Sequence, residues 1–223
     1  HSNQRKVLAV SKKKQIKAKV VRHEKKSTTP RQSTLEAALQ YLNQGWSVIP
    51  LKARGKAPCL SWKGSQTSVT TEQQVREWWT QWPDANVGVV TGRVSGLLVL
   101  DIDGDEGETT LAQLEGRYGA LPQTWTVRTG KGRHLYFTCS DASIRSSAGS
   151  LGKGLDVRAE GGYVVAPPSI HENGMPYSWV SDVDKPLMEA PRWLGTALIG
   201  GTIDKPNLVK QAEGQIYEGQ RNN

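Results

Sequence analysis

Cysteine is almost missing from this chain of 223 residues: only Cys59 and Cys139 occur, 80 residues apart, with no Cys-x-x-Cys pair or Cys/His cluster. That excludes a structural zinc site of the usual ligand spacing and points to a reducing compartment. No apolar run approaches the roughly 20 residues that span a bilayer, so no membrane partner is expected. The first thirty residues are basic but carry no apolar core segment, so they do not read as a secretory signal. A cytoplasmic location is the resulting expectation. Hydrophobic residues make up only 36%. That is little for a chain long enough to bury one sizeable core, so part of it is expected to remain outside.

Acidic charge is nearly absent from one end. Residues 1–31 hold eleven Lys or Arg against a single acid, Glu24, whereas the rest holds 18 basic and 20 acidic residues. The overall charge of +8 therefore belongs to the N-terminal segment. Residues 1–32 read as a basic, disordered tail, either simply solvated or touching nucleic-acid phosphates. Residues 33–200 read as one folded domain. Residues 201–223 turn polar, like a linker toward a further module.

Within 33–200, Ser33-Thr34-Leu35-Glu36 resembles a capping box that opens a helix with Leu35, Ala38, Leu39 and Leu42 on one face, stopped at Gly45. Trp46–Leu51 reads as a strand, and Lys52–Gly64 as a loop. Thr70 or Thr71 caps a second helix containing Val75, Trp78 and Trp79. Asn86–Thr91 and Leu97–Asp101 are apolar runs joined by Gly92–Gly96 as a hairpin. A third helix is predicted over Glu108–Tyr118. Strand signals follow at Thr124–Thr129, His134–Thr138, Leu155–Arg158, Tyr163–Ala166 and Tyr177–Val180, and a last helix at Arg192–Ile199. Strands and helices mix without a steady βαβ alternation, which favours an α+β domain with a mainly antiparallel sheet.

The chemistry-bearing residues sit on the strands. Leu-Leu-Val-Leu-Asp-Ile-Asp at 97–103 ends in two carboxylates one residue apart. On a strand both project from the same face, where like charges repel unless a cation lies between them. Oxygen-rich pairs suit Mg²⁺ or Mn²⁺. Asp156 interrupts the strand-like Leu155-Asp156-Val157-Arg158, and could be either a third carboxylate for paired-cation phosphoryl chemistry or a solvent-facing residue. Arg128–His134 combines cations with Gly130 and Gly132. It suits a polyphosphate, and equally a plain hairpin turn. His134 could be a ligand-contacting residue or a buried core histidine. Of the eight tryptophans, Trp78, Trp79, Trp82 and Trp193 fall in helical contexts that favour packing; Trp46, Trp62 and Trp125 have no assigned role.

Taken in order, these elements resemble the primase-polymerase (Prim-Pol) group of the archaeo-eukaryotic primase superfamily, found in plasmid, phage and related replication proteins. "GWSVIPLKARGKAP", "NVGVVTGRVSGLLVLDIDG", "TGKGRHLYF" and "GLDVRAEGGYVVAPPS" are all similar to segments of that group. The resemblance spans roughly 34–199. It implies a primase-like catalytic core, an RRM-like antiparallel sheet flanked by helices. It also implies template-directed nucleotidyl transfer on single-stranded DNA, using NTP or dNTP substrates, in the replication of a mobile element or a related process. By the same resemblance Asp101, Asp103 and Asp156 would ligate two divalent ions, Mg²⁺ or Mn²⁺, and His134 would contact the triphosphate. Lys131, Arg133 and Arg158 would neutralise phosphates, and Lys56 and Ser169, in further matching segments outside the core motifs, would also belong to the nucleotide-binding set. Some relatives carry a zinc-binding insert; this chain lacks the cysteines, so no zinc is expected. The ending "EGQRNN" is similar to the start of a linker to a helicase or accessory module, which makes a fused or associated helicase the implied partner.

Other readings compete. "LLVLDIDGD" is also similar to the nucleophile motif of haloacid dehalogenase-type phosphatases, although Asp105 replaces that family's Thr or Val. An EF-hand fails because Glu106 and Ala112 stand where Gly and Glu are required. A P-loop at Gly152-Lys153 fails because Gly154 replaces Ser or Thr. A non-catalytic initiator module that binds nucleotide or DNA remains a further alternative.

Overall fold

A computed structural model describes residues 32–200; the basic tail and the polar C-terminal linker expected from the sequence lie outside the described residues. Helix α1 (Thr34–Asn43) opens with the expected capping box. The Ser33 hydroxyl accepts from the Glu36 N–H, and the Glu36 carboxylate accepts from the Ser33 N–H at 2.9 Å. Helix α2 (Glu72–Gln81) repeats the device with Thr71 and Gln74. Helices α3 (Gly104–Tyr118) and α4 (Arg192–Leu198) follow later in the chain. The strands are β1 (Val48–Leu51), β2 (Asn86–Val90), β3 (Leu97–Asp103), β4 (Thr126–Arg128), β5 (Gly132–Thr138), β6 (Ser147–Ala148), β7 (Leu155–Arg158), β8 (Tyr163–Ala166) and β9 (Ser178–Trp179).

They form two sheets, ordered β1-β2-β8 and β6-β7-β3-β5-β4-β9. Every ladder between these strands is antiparallel, as the α+β reading required. Strand alternation divides the larger sheet into two faces. Leu98, Leu100 and Ile102 of β3 join Phe137, Leu155 and Val157 in a core closed by Leu111 of α3 and Leu194 of α4. Leu97, Val99, Val127 and Tyr136 face the other way, into a core shared with Val48, Ile49, Val89 and Val164 of the smaller sheet and with α1 and α2. No described helix is long and apolar enough to cross a membrane.

Two expectations change. The 92–96 turn does close, with Gly92 and Leu97 exchanging backbone hydrogen bonds of 2.8 and 3.2 Å. The flanking strands then part into different sheets instead of pairing as a hairpin. Both edges of each are already taken, β2 by β1 and β8, and β3 by β5 and β7. Buried backbone donors and acceptors need that pairing, and distant strands supply it. Helix α3 also starts at Gly104 rather than Glu108, directly off β3, with Asp103 as its N-cap residue.

Candidate active site

On β3, Asp101 stands opposite His134 of β5 on one side and Asp156 of β7 on the other. Directly opposed residues of antiparallel strands share a face, with Cβ atoms about 4.5–5.5 Å apart. Two carboxylates and an imidazole therefore form a row across three central strands. The same alternation puts Asp103, opposite Gly132, and Arg158, opposite Val99, on that face.

Asp101 and His134 of the row line a cleft of about 220 Å³ between the two sheets; Asp156 and Asp103 stand beside it and are not part of its lining. Arg158, Lys56, Tyr163 and Tyr177 are also among the residues that line it. His134 is 5% exposed, and its Nε2 lies 3.3 Å from Asp101 Oδ1. Its ring packs against Tyr136 and Tyr177, and its Nδ1 is buried with no hydrogen-bond partner among the described residues. Burial works to raise the Asp101 carboxyl. The hydrogen bond and charge of His134, with Lys56 and Arg158, outweigh it and hold that carboxyl below its ordinary value. Asp156 accepts from the Arg158 guanidinium at 2.8 Å and from the Gly149 N–H at 3.0 Å. Burial first, then the negative charge of Asp101 and Asp103, pushes the Tyr177 hydroxyl up to about 12, so it is a neutral donor at physiological pH. A larger cleft, about 620 Å³, lies by Trp46 and Trp125 at the far end of β3. Its charged lining is Glu189 alone, so it has no cation for a phosphate and no paired acids for a metal.

A cleft lined by Asp101, a buried histidine and two cations, with the opposed acid Asp156 beside it, suits the handling of a polyanion with divalent ions. A family model described as bifunctional DNA primase/polymerase, N-terminal (Prim-Pol), matches residues 38–193. The chain belongs to the Prim-Pol family. The match takes in every strand, and with them Asp101, Asp103, His134 and Asp156. Comparison with curated proteins gives no match. Membership of Prim-Pol makes nucleotidyl transfer of the primase/polymerase kind the general activity, and takes the place of the phosphatase resemblance.

Several residues that the Prim-Pol resemblance brought to the phosphates do not sit where that role needs them. Arg133 alternates with His134 and therefore faces the helix side of the sheet, where its guanidinium forms a fork with Glu108 of α3 at 2.7 and 2.8 Å. Ser169 is fully buried, and its hydroxyl oxygen accepts from the Val87 N–H at 2.8 Å, bonding the backbone of β2. Lys131 is exposed at the tip of the β4–β5 turn. The turn is not a free phosphate cradle: the Lys131 and Gly132 N–H groups both donate to Thr129 Oγ1. Its glycines answer to packing, since a Cβ at Gly130 would meet the His171 ring and one at Gly132 the Ile102 carbonyl. Lys56 and Arg158 do line the cleft. Tyr163 and Tyr177 line it too and were missed, because nothing local marks either as more than a strand aromatic.

Among the described residues no group of three or more His, Cys, Asp or Glu stands together as a ready metal cage. The chemistry of the donors fits hard divalent ions all the same. Asp101 and Asp156 are directly opposed acids, Asp103 follows on the same face, and carboxylate oxygens are what Mg²⁺ and Mn²⁺ prefer.

The placement of Arg133 yields a first prediction. Arg133→Ala should leave the dissociation constant for nucleotide unchanged and cost less than about 1 kcal/mol in stability, because its pair with Glu108 is largely solvent-screened. Nucleotide titration and urea melts check both. The Glu108 carboxyl is held below its ordinary value chiefly by its hydrogen bond to Arg133. The pair's contribution should thus persist above the unfolded value and fade as pH drops through the lower folded one.

Proposed function

We propose that this domain catalyses template-directed, metal-dependent nucleotidyl transfer on single-stranded DNA, extending and starting primers from nucleoside triphosphates. The observation that carries this reading is Asp101, opposed by His134 and Asp156 on neighbouring strands, at the wall of a cleft that Lys56 and Arg158 also line. In the reaction a 3′-hydroxyl oxygen bonds to the α-phosphorus as the bond from that phosphorus to the β-phosphate's bridging oxygen breaks, releasing pyrophosphate. Divalent ions held by Asp101, Asp103 and Asp156 would supply activation of the attacking hydroxyl and neutralisation of the leaving group. Asp101 stays ionised because His134, Lys56 and Arg158 favour its charge. Lys56 and Arg158 are the cations available to a triphosphate entering the cleft.

Tyr177 has a place in this reading. It is 3% exposed, its ring packs on His134, and it lines the cleft. Tyr177→Phe removes only the O–H. We expect nucleotide KM to rise about threefold to tenfold, the scale of one lost neutral hydrogen bond, with thermal stability held. An unchanged KM would remove Tyr177 from the substrate contacts.

The experiment for the whole reading is direct. Primed and unprimed single-stranded templates are incubated with the protein, each nucleotide set, and Mg²⁺ or Mn²⁺. Labelled products that follow template sequence support it. Tight DNA and nucleotide binding with no product under any condition would assign the domain to a non-catalytic initiator role instead.

A further inference from the structure

The chain from Gly45 to Thr71 carries four cations, Lys52, Arg54, Lys56 and Lys63, and no Asp or Glu. All four are exposed, and none forms an ion pair among the described residues. Elsewhere on the domain Arg76, Arg133, Lys153, Arg158 and Lys185 each hold a carboxylate within 4 Å, whereas Arg93, Arg117, Arg128, Lys131, Arg145 and Arg192 do not among the described residues. The stretch 45–71 is set apart by having four unpaired cations and no acid. A surface of unpaired like charge is unfavourable by itself and suits a polyanion.

The loop is built rather than loose. The Lys52 N–H bonds the Ala57 carbonyl at 2.8 Å and the Cys59 N–H bonds the Pro50 carbonyl at 2.9 Å. Asn86 holds the Gly55 carbonyl at 3.0 Å, and the Tyr163 hydroxyl donates to the Lys56 carbonyl at 3.0 Å. Arg54 alone among the described non-glycine residues has a positive φ, 55°. Such a conformation persists only where surrounding contacts over-determine it.

Aromatic surface lies within the same patch. Trp62 meets Tyr163 edge-to-face, with ring centroids 4.9 Å apart, and both rings are only half-buried. Tyr163 also lines the Asp101 cleft, so the pair sits at its mouth.

We infer that the Lys52–Lys63 loop, with Trp62 and Tyr163, is the surface that seats the single-stranded template beside the cleft. This rests on the nucleotidyl-transfer reading, which requires a template base within pairing distance of the incoming nucleotide. Backbone phosphates follow Arg54 and Lys63, and a base stacks on Trp62; single-strand binding surfaces work by that combination of cationic groove and aromatic platform.

The test uses the full chain and a labelled oligo(dT), read by fluorescence anisotropy across a salt series. Arg54→Ala with Lys63→Ala should flatten the slope of log K against log salt by about 1.4, at about 0.7 per phosphate contact on a single strand. Trp62→Leu should weaken binding about tenfold without changing that slope, and Trp62→Phe should restore most of it. Nucleotide KM should stay within about twofold in all three, while template KM rises. Unchanged oligonucleotide affinity in both the cation variant and Trp62→Leu would overturn the assignment. So would equal binding by Trp62→Leu and Trp62→Phe. If Trp62→Leu fails to fold, the exposed cation pair still decides. If the unsubstituted chain makes no product, the polymerase reading falls, while the oligonucleotide titrations still judge the loop.

Discussion

Asp101→Asn is expected to reduce nucleotide incorporation by about 10²- to 10³-fold or more, the scale of losing one preorganised electrostatic group from a transition state, while the protein keeps its fold. Asparagine has the same shape and can still bond His134, so the row across β3, β5 and β7 survives without its central charge. Primer extension in Mg²⁺ and in Mn²⁺, alongside thermal melts, makes the measurement. Undiminished extension would end the proposed role of the row. A pH series adds a signature of the charge itself. Because the folded carboxyl is held below its ordinary value of 3.8, its ionised form stabilises the fold above the unfolded pKa. That contribution is lost as pH falls through the lower folded value. The melting-temperature gap between the two proteins should therefore close on the acid side of about 4 and stay open at neutral pH.

Gly132→Ala should damage both stability and activity. Gly132 stands opposite Asp103, and a Cβ there would run into the backbone carbonyl of Ile102, between the two acids of β3. Backbone cannot step aside as a flexible side-chain tip can, so the end of β3 must move or the β4–β5 turn must open. Overpacking of this kind costs on the order of 1–3 kcal/mol, and here it also displaces Asp103. We expect a lower urea midpoint and extension activity reduced at least tenfold. A merely phosphate-cradling glycine would behave differently, weakening nucleotide binding while stability held. Normal stability with a raised nucleotide KM would restore that cradle reading of the turn.

The legible and illegible parts of this protein divide along physical lines. The boundaries of β7 and β8 and both capping boxes follow from local features: alternation, a glycine break, and Ser or Thr three residues before Glu or Gln. The assignment of Arg133 to the phosphates overlooked the two-residue period that also put Asp101 and Asp103 on one face. With His134 turned to the cleft, Arg133 had to face α3. Other features had no local signal at all. The parting of β2 and β3 depends on which distant strands take their edges. The burial of Ser169 depends on Val87, and the place of Tyr177 on a histidine far away in the chain.

The family was legible from the resemblance of the motifs; by itself the sequence further determined the α+β class, the run of strands apart from the short β6, and which residues carry charge suited to phosphoryl chemistry. Those rest on composition, on spacing and on forces acting within a few residues. Only the tertiary structure decided that Asp101 lies between His134 and Asp156, that Lys56 and Tyr163 close the cleft from the other sheet, and that Arg133 and Ser169 belong elsewhere. Strand neighbours are chosen by backbone hydrogen bonding and burial across the whole domain, and a linear string of residues does not record which edges meet.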